Sequence, residues 1–459
     1  MSGQGYPRTI ARTLRLWFLF EDRVDARTYF RHGLALMVSK YAVDATVVWL
    51  AFHRFWSPIE YLNPSVTLRG DVVNLPAMAQ LGMMLWTLPF LWIGAGMSVR
   101  RASDAGRSPW LGLLFFVPIV NYVMMLVLSR QASEAADTWS PGTRDVTPVR
   151  RLESAMVGVL ASVAIGLPLV AFCTLVLKGY GLALFWGTPF AIGAVTAFLH
   201  NRRHARSLRE TLFVVLLGQI VISGSVLLFA IEGLICVAMG LPIAAVLSLM
   251  GGMLGREIAL HTSARLSQAG LVVLALPLLA LIERPTLRTA FREVASAVVV
   301  SAPPENVWKH VVSFPSLPPP TELLFRLGVA YPVRARIAGQ GVGAIRRCEF
   351  STGAFIEPIT AWDAPRRLTF DVTDGPPPMR ELSPWPDVHA THLNGYFRAV
   401  KGEFRLEPLA DGRTRLEGST WYALDIHPQV YWNLWVDVLV ESIHHRVLTH
   451  IQRQAEADR

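Results

Sequence analysis

Eight apolar stretches fill much of the first 283 residues, at about 34–52, 76–97, 110–128, 155–177, 180–199, 211–231, 233–254 and 268–283. Several approach the ~20 residues a helix needs to cross a hydrocarbon layer. Lipid offers no hydrogen bonds to a bare backbone, so segments of this kind can be satisfied only as helices. The chain is 52% hydrophobic and 17% charged, against roughly 25% charged in soluble domains, which fits a multi-spanning α-helical membrane domain.

The arginines constrain how the stretches cross. Of the +9 net charge, the excess lies before Arg284, with 23 basic and 15 acidic residues there against 20 and 19 from that point on. In short loops such a bias reports orientation and contact with anionic lipid. It does not point to nucleic acid, and no basic stripe with interleaved aromatics supports that partner. Eight crossings from a cytoplasmic N-terminus would put Arg202, Arg203, Arg206 and Arg209 outside, against the positive-inside tendency. If residues 110–128, broken by Pro118 and Asn121, re-enter or lie parallel to the membrane, all the arginine-rich loops face the cytoplasm. The last stretch, shortened and carrying Pro277, is read as a second irregular segment. This gives six full spans with both termini inside, eight being the alternative.

The resulting organisation is a basic amphipathic arm over 1–31, a first membrane region over 32–130, a loop over 131–154, a second membrane region over 155–283 and a soluble domain over 284–459. The arm lacks a cleavable signal pattern, and the first span itself is expected to direct insertion. Lys40 and Asp44, one helical turn apart in that span, are expected to neutralise each other. So few other ionisable groups lie in the apolar region that an ion-coupled transporter is disfavoured.

From Arg284 the pattern becomes short alternating runs punctuated by Pro and Gly, the mark of a twisted antiparallel sheet. Strands are predicted at 294–301, 331–338, 343–352, 355–362, 367–373, 395–408 and 413–425, with a short helix started by Pro304 and Glu305 after the first. A long helix follows from about Gln429 to Gln454, with Tyr431, Leu434, Trp435, Val438, Leu439, Ile443, Val447 and Ile451 as its apolar face.

Two resemblances sharpen this reading. Arg100-Arg-Ala-Ser-Asp-Ala-Gly-Arg-Ser-Pro-Trp110, followed by the Pro118–Asn121 break, resembles a motif of the bacterial inner-membrane family called domain of unknown function 805. That family's first motif, Gly-Arg-x-x-Arg before an aromatic pair, stands here as Asp22-Arg-Val-Asp-Ala-Arg-Thr-Tyr-Phe30, with Asp22 for the Gly and Ala26 for an Arg. The resemblance implies a bacterial inner-membrane location. At the other end, Val298-Val-Val-Ser-Ala-Pro-Pro-Glu-Asn-Val-Trp308, Trp362-Asp-Ala-Pro-Arg-Arg-Leu-Thr-Phe370 and Gly412-Arg-Thr-Arg-Leu-Glu-Gly-Ser-Thr-Trp-Tyr422 are similar to the START-like helix-grip superfamily (SRPBCC, polyketide cyclase/dehydrase), over about 294–455. It implies an α+β domain whose sheet curls round a long helix and leaves an apolar cavity for a hydrophobic molecule.

Alternation along the strands then nominates a ligand pocket of Cys348, Phe350, Leu368, Phe370, Val372, Tyr396, Val400, Phe404, Leu416, Thr420 and Tyr422, closed from the helix by Trp435 and Leu439. A closed, ligand-free core is the plain alternative. The insertion from Gly375 to His392 is long and Pro-rich, as a lid is, or a surface decoration. Its Asp387, His389 and His392 could serve as acid and base or, less favoured, ligate a metal, while His444 and His445 read as surface residues. Arg100, Arg101 and Asp104, at the end of a span, are candidates for holding lipid headgroups, or form a topology anchor with a local ion pair.

Cys173, Cys236 and Cys348 show no metal-ligand spacing and read as packed thiols. No phosphate loop, paired-carboxylate signature or nucleophile motif occurs, and neither metal nor cofactor is expected. The function expected is a membrane-tethered module binding a lipid or other hydrophobic molecule at the cytoplasmic face. A cyclase/dehydratase and a structural or signalling protein with an empty soluble domain are the alternatives.

Overall fold

The computed structural model describes residues 6–18, 24–53, 55–58, 77–116, 120–133, 148–229, 231–261, 266–283, 291–382 and 390–458. They form two compact units, one of residues 1–231 and 240–287, the other of 232–239 and 288–459.

The first unit is helical: α1 (Tyr6–Phe18), α2 (Ala26–Phe52), α3 (Ala77–Asp104), α4 (Val120–Arg130), α5 (Pro148–Ala171), α6 (Thr188–Asn201), α7 (Leu208–Leu228), α8 (Leu234–His261) and α9 (Leu266–Glu283). Residues 232–239, including the start of α8, belong to the second unit. Among the described residues, five helical segments are long and apolar enough to cross a membrane: Ala26–Leu50, Ser154–Val176, Ala183–Asn201, Leu208–Leu228 and Leu234–His261. Local chemistry sets several boundaries. Asp25 caps α2 by accepting from the Thr28 amide at 2.7 Å, and Ser207 caps α7 by accepting from the Glu210 amide at 3.2 Å. Within the stretch 110–128 the described residues form a 3-10 segment (Pro109–Phe116) and the short α4, while Pro118 lies outside the described residues.

Three glycines let α6 and α8 touch. A Cβ on Gly193 would lie 2.0 Å from the Ser248 carbonyl oxygen, one on Gly251 2.0 Å from that of Phe190, and one on Gly255 2.0 Å from that of Ala194. Small residues of this kind let helices pack in lipid, where no hydrophobic effect drives them together. All fourteen residues of α6 are buried as a result.

The two ends of this bundle differ. At one end, Arg256 donates to the Arg206 carbonyl at 2.9 Å, and Ser154 Oγ lies 3.1 Å from His200 Nδ1. At the other, Glu283, the last residue of α9, accepts from the Leu182 amide at 2.9 Å, beside the π-helical turn Ala183–Gly187 that leads into α6. The final apolar segment is an 18-residue helix with Pro277 inside it.

Arg100, Arg101 and Asp104 are turned inward, and the local ion pair that stands as the alternative to a headgroup role is present. Arg101 is wholly buried and donates to the carbonyls of Leu128 at 3.0 Å and Gln131 at 2.5 Å, and to Asp104 at 2.5 Å. Arg100 donates to the Leu16 carbonyl at 2.6 Å. These cations satisfy helix ends that would otherwise be bare. Lys40 and Asp44 do pair within α2, as their spacing predicts.

The second unit is an α+β domain. Strands β1 (Phe291–Val300), β2 (Pro332–Ala338), β3 (Ile345–Phe350), β4 (Gly353–Asp363), β5 (Arg367–Asp371), β6 (Phe397–Pro408) and β7 (Thr414–Leu424) form one antiparallel sheet in the order β1-β7-β6-β5-β4-β3-β2. After β1 come the short helices α10 (Pro304–Val312) and α11 (Leu323–Arg326), and after β7 the long α12 (Gln429–Ala457). Its core packs Val447, Leu448, Ile451 and Ala455 of α12 against Leu368, Phe404, Leu406 and Leu416 of the sheet. This is the helix-grip arrangement, and all seven predicted strands are present.

Two details shift the faces. A bulge between Ala399 and Lys401 breaks the alternation of β6 against β7, as an extra residue must. Helix α12 is rolled so that Trp432, Asn433, Val436, Val440 and His444 are buried, while Val438 is 49% exposed. Polar bonds select this phase: the Tyr422 hydroxyl donates to Asp437 at 2.8 Å, and Arg292 pairs with the same carboxylate at 2.8 Å.

Replacing Gly255 by Leu is expected to separate α6 from α8 and abolish a monodisperse, heat-resistant species in detergent. Gly224→Ala, where a Cβ meets nothing within 4 Å, should leave it intact. Size-exclusion chromatography after a heating series checks both.

Candidate functional site

The curled sheet and α12 enclose a cavity of about 120 Å³. Of the residues nominated from sequence, Cys348, Phe350, Phe370, Val372, Phe404 and Thr420 line it. The other seven do not. Leu368 and Leu416 are sealed in the core, and Tyr422 turns its hydroxyl to Asp437. Tyr396 precedes β6 and Val400 is the extra residue of its bulge, while Phe397 and Ala399 stand on the cavity wall instead. Trp435 and Leu439 are displaced by the roll of α12, and Val440, Ile443, His444 and Val447 take their place.

The cavity is apolar apart from a few placed groups. Arg346 on β3 stands directly opposite Glu357 on β4 and pairs with it through Nη1 and Oε2. Both are buried, and the guanidinium lies 5.1 Å from the Phe370 ring centre, 5.6 Å from Phe404 and 5.7 Å from Phe314. Three aromatic faces thus help hold a charge that water cannot reach. Burial raises the Glu357 carboxyl above its usual range, against the pull of Arg346, and burial pushes the Cys348 thiol up to about 12. Removing one partner of such a pair costs about 3–5 kcal/mol, because the other charge stays buried alone.

His444, expected at the surface, is 8% exposed and faces the cavity. Its Nε2 lies 2.8 Å from Thr420 Oγ1 and its Nδ1 3.2 Å from Ser296 Oγ. Burial lowers its pKa from 6.5 to about 4, so the ring is neutral near pH 7. His445, beside it, is exposed as predicted.

Asp387 and His389 lie outside the described residues. His392 does not line the cavity. It sits on a 3-10 turn (Thr391–Leu393), with Nδ1 2.9 Å from Glu232 Oε2 and Nε2 2.7 Å from Cys236 Sγ. Glu381 Oε1 is 3.6 Å from Nε2. Burial alone would lower this imidazole's pKa, but the two carboxylates outweigh it and raise it to about 9. Cys236, read from sequence as a packed thiol, is therefore part of a polar cluster. The spacing Glu232-x3-Cys236 at a helix start was its one local signal.

The helical unit holds a second cavity, of about 460 Å³, lined by Tyr29, Lys40, Tyr41, Phe90, Asn121 and Tyr122 among others.

Residues 17–139 match the family model described as "Protein of unknown function (DUF805)". A comparison with curated proteins gave no match. Solved structures similar to the C-terminal part include norcoclaurine synthase from Thalictrum flavum in complex with dopamine and hydroxybenzaldehyde, at 14% identity, covering 37% of this chain and 90% of that one, with a TM-score of 0.25. The Zhui aromatase/cyclase from Streptomyces sp. R1128 is similar at 16% identity over 36% and 94% of the two chains, with a TM-score of 0.24. The protein XoxI from Bacillus cereus matches at 14% identity over 35% and 93%, with a TM-score of 0.22. The likeness concerns the fold of the C-terminal domain.

Because the unfolded chain binds a proton at His444 between pH 6.5 and about 4 that the folded chain does not, the domain should lose stability as pH falls through that window, by about 3 kcal/mol in all. His444→Gln should flatten the slope. Hydrogen exchange of β7 and α12 peptides in the full chain, corrected for intrinsic rates, measures it.

Proposed function

We propose that this protein is a membrane-tethered binding module whose helix-grip domain takes up a compact hydrophobic molecule carrying one polar group. The observation that carries this reading is the cavity: largely apolar, aromatic walls, about 120 Å³ of space, and a limited set of polar groups, namely the buried Arg346–Glu357 pair, the Thr420–His444 contact and Lys401, Glu403 and Ser419. A dry cavity of about 150 Å³ holds one benzene ring. Of the molecules the sequence suggests, a single-ring compound fits better than a lipid chain, which would require α12 to lift. Tethering by the spans keeps the domain near a solute partitioned into the bilayer, raising its effective concentration without new contacts.

Catalysis of the cyclase or dehydratase kind is supported less. His392 is not at the cavity, and a base with a pKa of about 4 such as His444 is poorly matched to proton abstraction near pH 7.

The sequence suggests binding at the cytoplasmic face. The hydrogen bonds of the helical unit support the opposite face. Arg206 and Arg256 mark one end of the bundle and the last residue of α9 the other, and arginine-rich loops favour the cytoplasm. On this reading the ligand is met outside.

Native mass spectrometry of the full chain released from detergent should show one small adduct, or its acquisition on titration with single-ring aromatics. Ala399→Trp, which fills the cavity wall, should abolish it while leaving the circular dichroism unchanged. A wild-type chain that stays ligand-free throughout would overturn the binding reading. For orientation, an impermeant maleimide added to intact cells should label Val342→Cys and spare Arg203→Cys; the reverse pattern restores a cytoplasmic domain.

A further inference from the structure

Away from the cavity, side chains from three stretches of chain converge on one imidazole. Glu232, in the turn before α8, reaches His392 Nδ1 at 2.9 Å. Cys236, one helical turn later, brings Sγ to 2.7 Å from Nε2. Glu381, from the insertion, brings Oε1 to 3.6 Å from the same nitrogen. All of them lie in the second unit. Glu232, Cys236 and His392 each place a donor atom within 4.8 Å of the others.

The surroundings are built around this point. The Glu381 side chain is fully buried. Its Oε2 accepts from the Ile235 amide at 3.2 Å, whereas Oε1 has no hydrogen-bond partner among the described residues and faces the imidazole. The backbone is pinned alongside, with the Leu234 amide donating to the Leu382 carbonyl at 2.8 Å. Gly233 leaves room for the carboxylate, since a Cβ there would lie 2.1 Å from Glu381 Oε2.

We propose that Glu232, Cys236, Glu381 and His392 form a site for a divalent transition metal of the zinc class. His392 Nε2, Cys236 Sγ and Glu381 Oε1 are the ligands. Glu232 Oε2, 2.9 Å from Nδ1, is placed to accept from Nδ1–H once a metal sits on Nε2 and so to fix that tautomer, the usual carboxylate partner of a metal-bound histidine. Mixed nitrogen, sulfur and oxygen donors suit Zn²⁺ rather than Ca²⁺ or Mg²⁺, which take oxygen alone. Charge favours the same reading. Two carboxylates crowd one imidazole in a buried setting, and a dication offsets their charge together with that of the thiolate its binding would create. A lone nucleophilic thiolate, by contrast, requires an electropositive environment. Three protein ligands leave a fourth position for water or a small ligand, as in open zinc sites.

The experiment uses the full chain in detergent, stripped with dipicolinate and titrated with Zn²⁺ or Co²⁺. About one equivalent should bind, and the Co²⁺ form should show a thiolate-to-metal charge-transfer band. Cys236→Ser should remove the band, and Cys348→Ser should keep it. Glu232→Gln should weaken affinity ~10–100-fold. Should Cys236→Ser fail to fold, the stripped and reloaded wild type still decides, through protection of Cys236 from alkylation by bound metal. Absence of stoichiometric uptake, or Cys236 alkylated at the same rate with and without metal, overturns the proposal. Rapid alkylation in both states would instead mark a reactive Cys–His pair.

Discussion

A charge buried in an apolar hollow must bring its own solvation, and the Arg346–Glu357 pair shows what that demands of the soluble domain. Each member lies opposite the other across one β3–β4 step, so the hairpin register is tied to electrostatics as well as to pattern. The guanidinium also requires rings around it, and Phe314, Phe370 and Phe404 supply them from three separate elements. Those rings take up room a ligand would use. The cavity is therefore small because it contains an ion pair, and its size is what turns the functional reading toward a compact molecule.

Much of the architecture was legible because it rests on periodicity. Apolar runs marked the helices, and alternation with Gly and Pro punctuation marked the seven strands. The faces were harder. Alternation along β6 fails at a bulge that no single residue announces, so Tyr396 and Val400 were placed on the wrong wall. Along the first half of α12 the most apolar stripe is not the buried one, because Asn433, Asp437 and His444 roll the helix toward their hydrogen-bond partners, whereas Val447 and Ile451 are in the core as expected. Arg346 was missed for a related reason. Alternation with Cys348 and Phe350 puts it inward, but a charge is read as exposed unless a partner is seen.

The cluster at His392 illustrates a different limit. Its members are separated by up to 160 positions, and only the fold brings residue 236 beside residue 392. Local spacing flagged His392 but offered no way to tell which of the acids would meet it. The two arginines at the end of α3 show the opposite limit. Their motif was plain in the sequence, and it was their partners, carbonyls rather than phosphates, that the sequence could not display.

Helix α6 is buried along its whole length, and this bears on how the chain is made. It carries Thr188, Thr196, His200 and Asn201 inside the helical unit, where Asn201 is bonded to Thr211 of α7 at 2.9 Å and Gly193 touches α8. A segment emerging from the ribosome between α5 and α7 meets neither of those partners until later residues are synthesised. Its polar side chains would then face lipid or the insertion machinery alone. Biogenesis of the bundle must accordingly be concerted at this point: α6 reaches its final surroundings only when α7 and α8 arrive, so a ribosome halted before α8 leaves an assembly intermediate exposed to quality control.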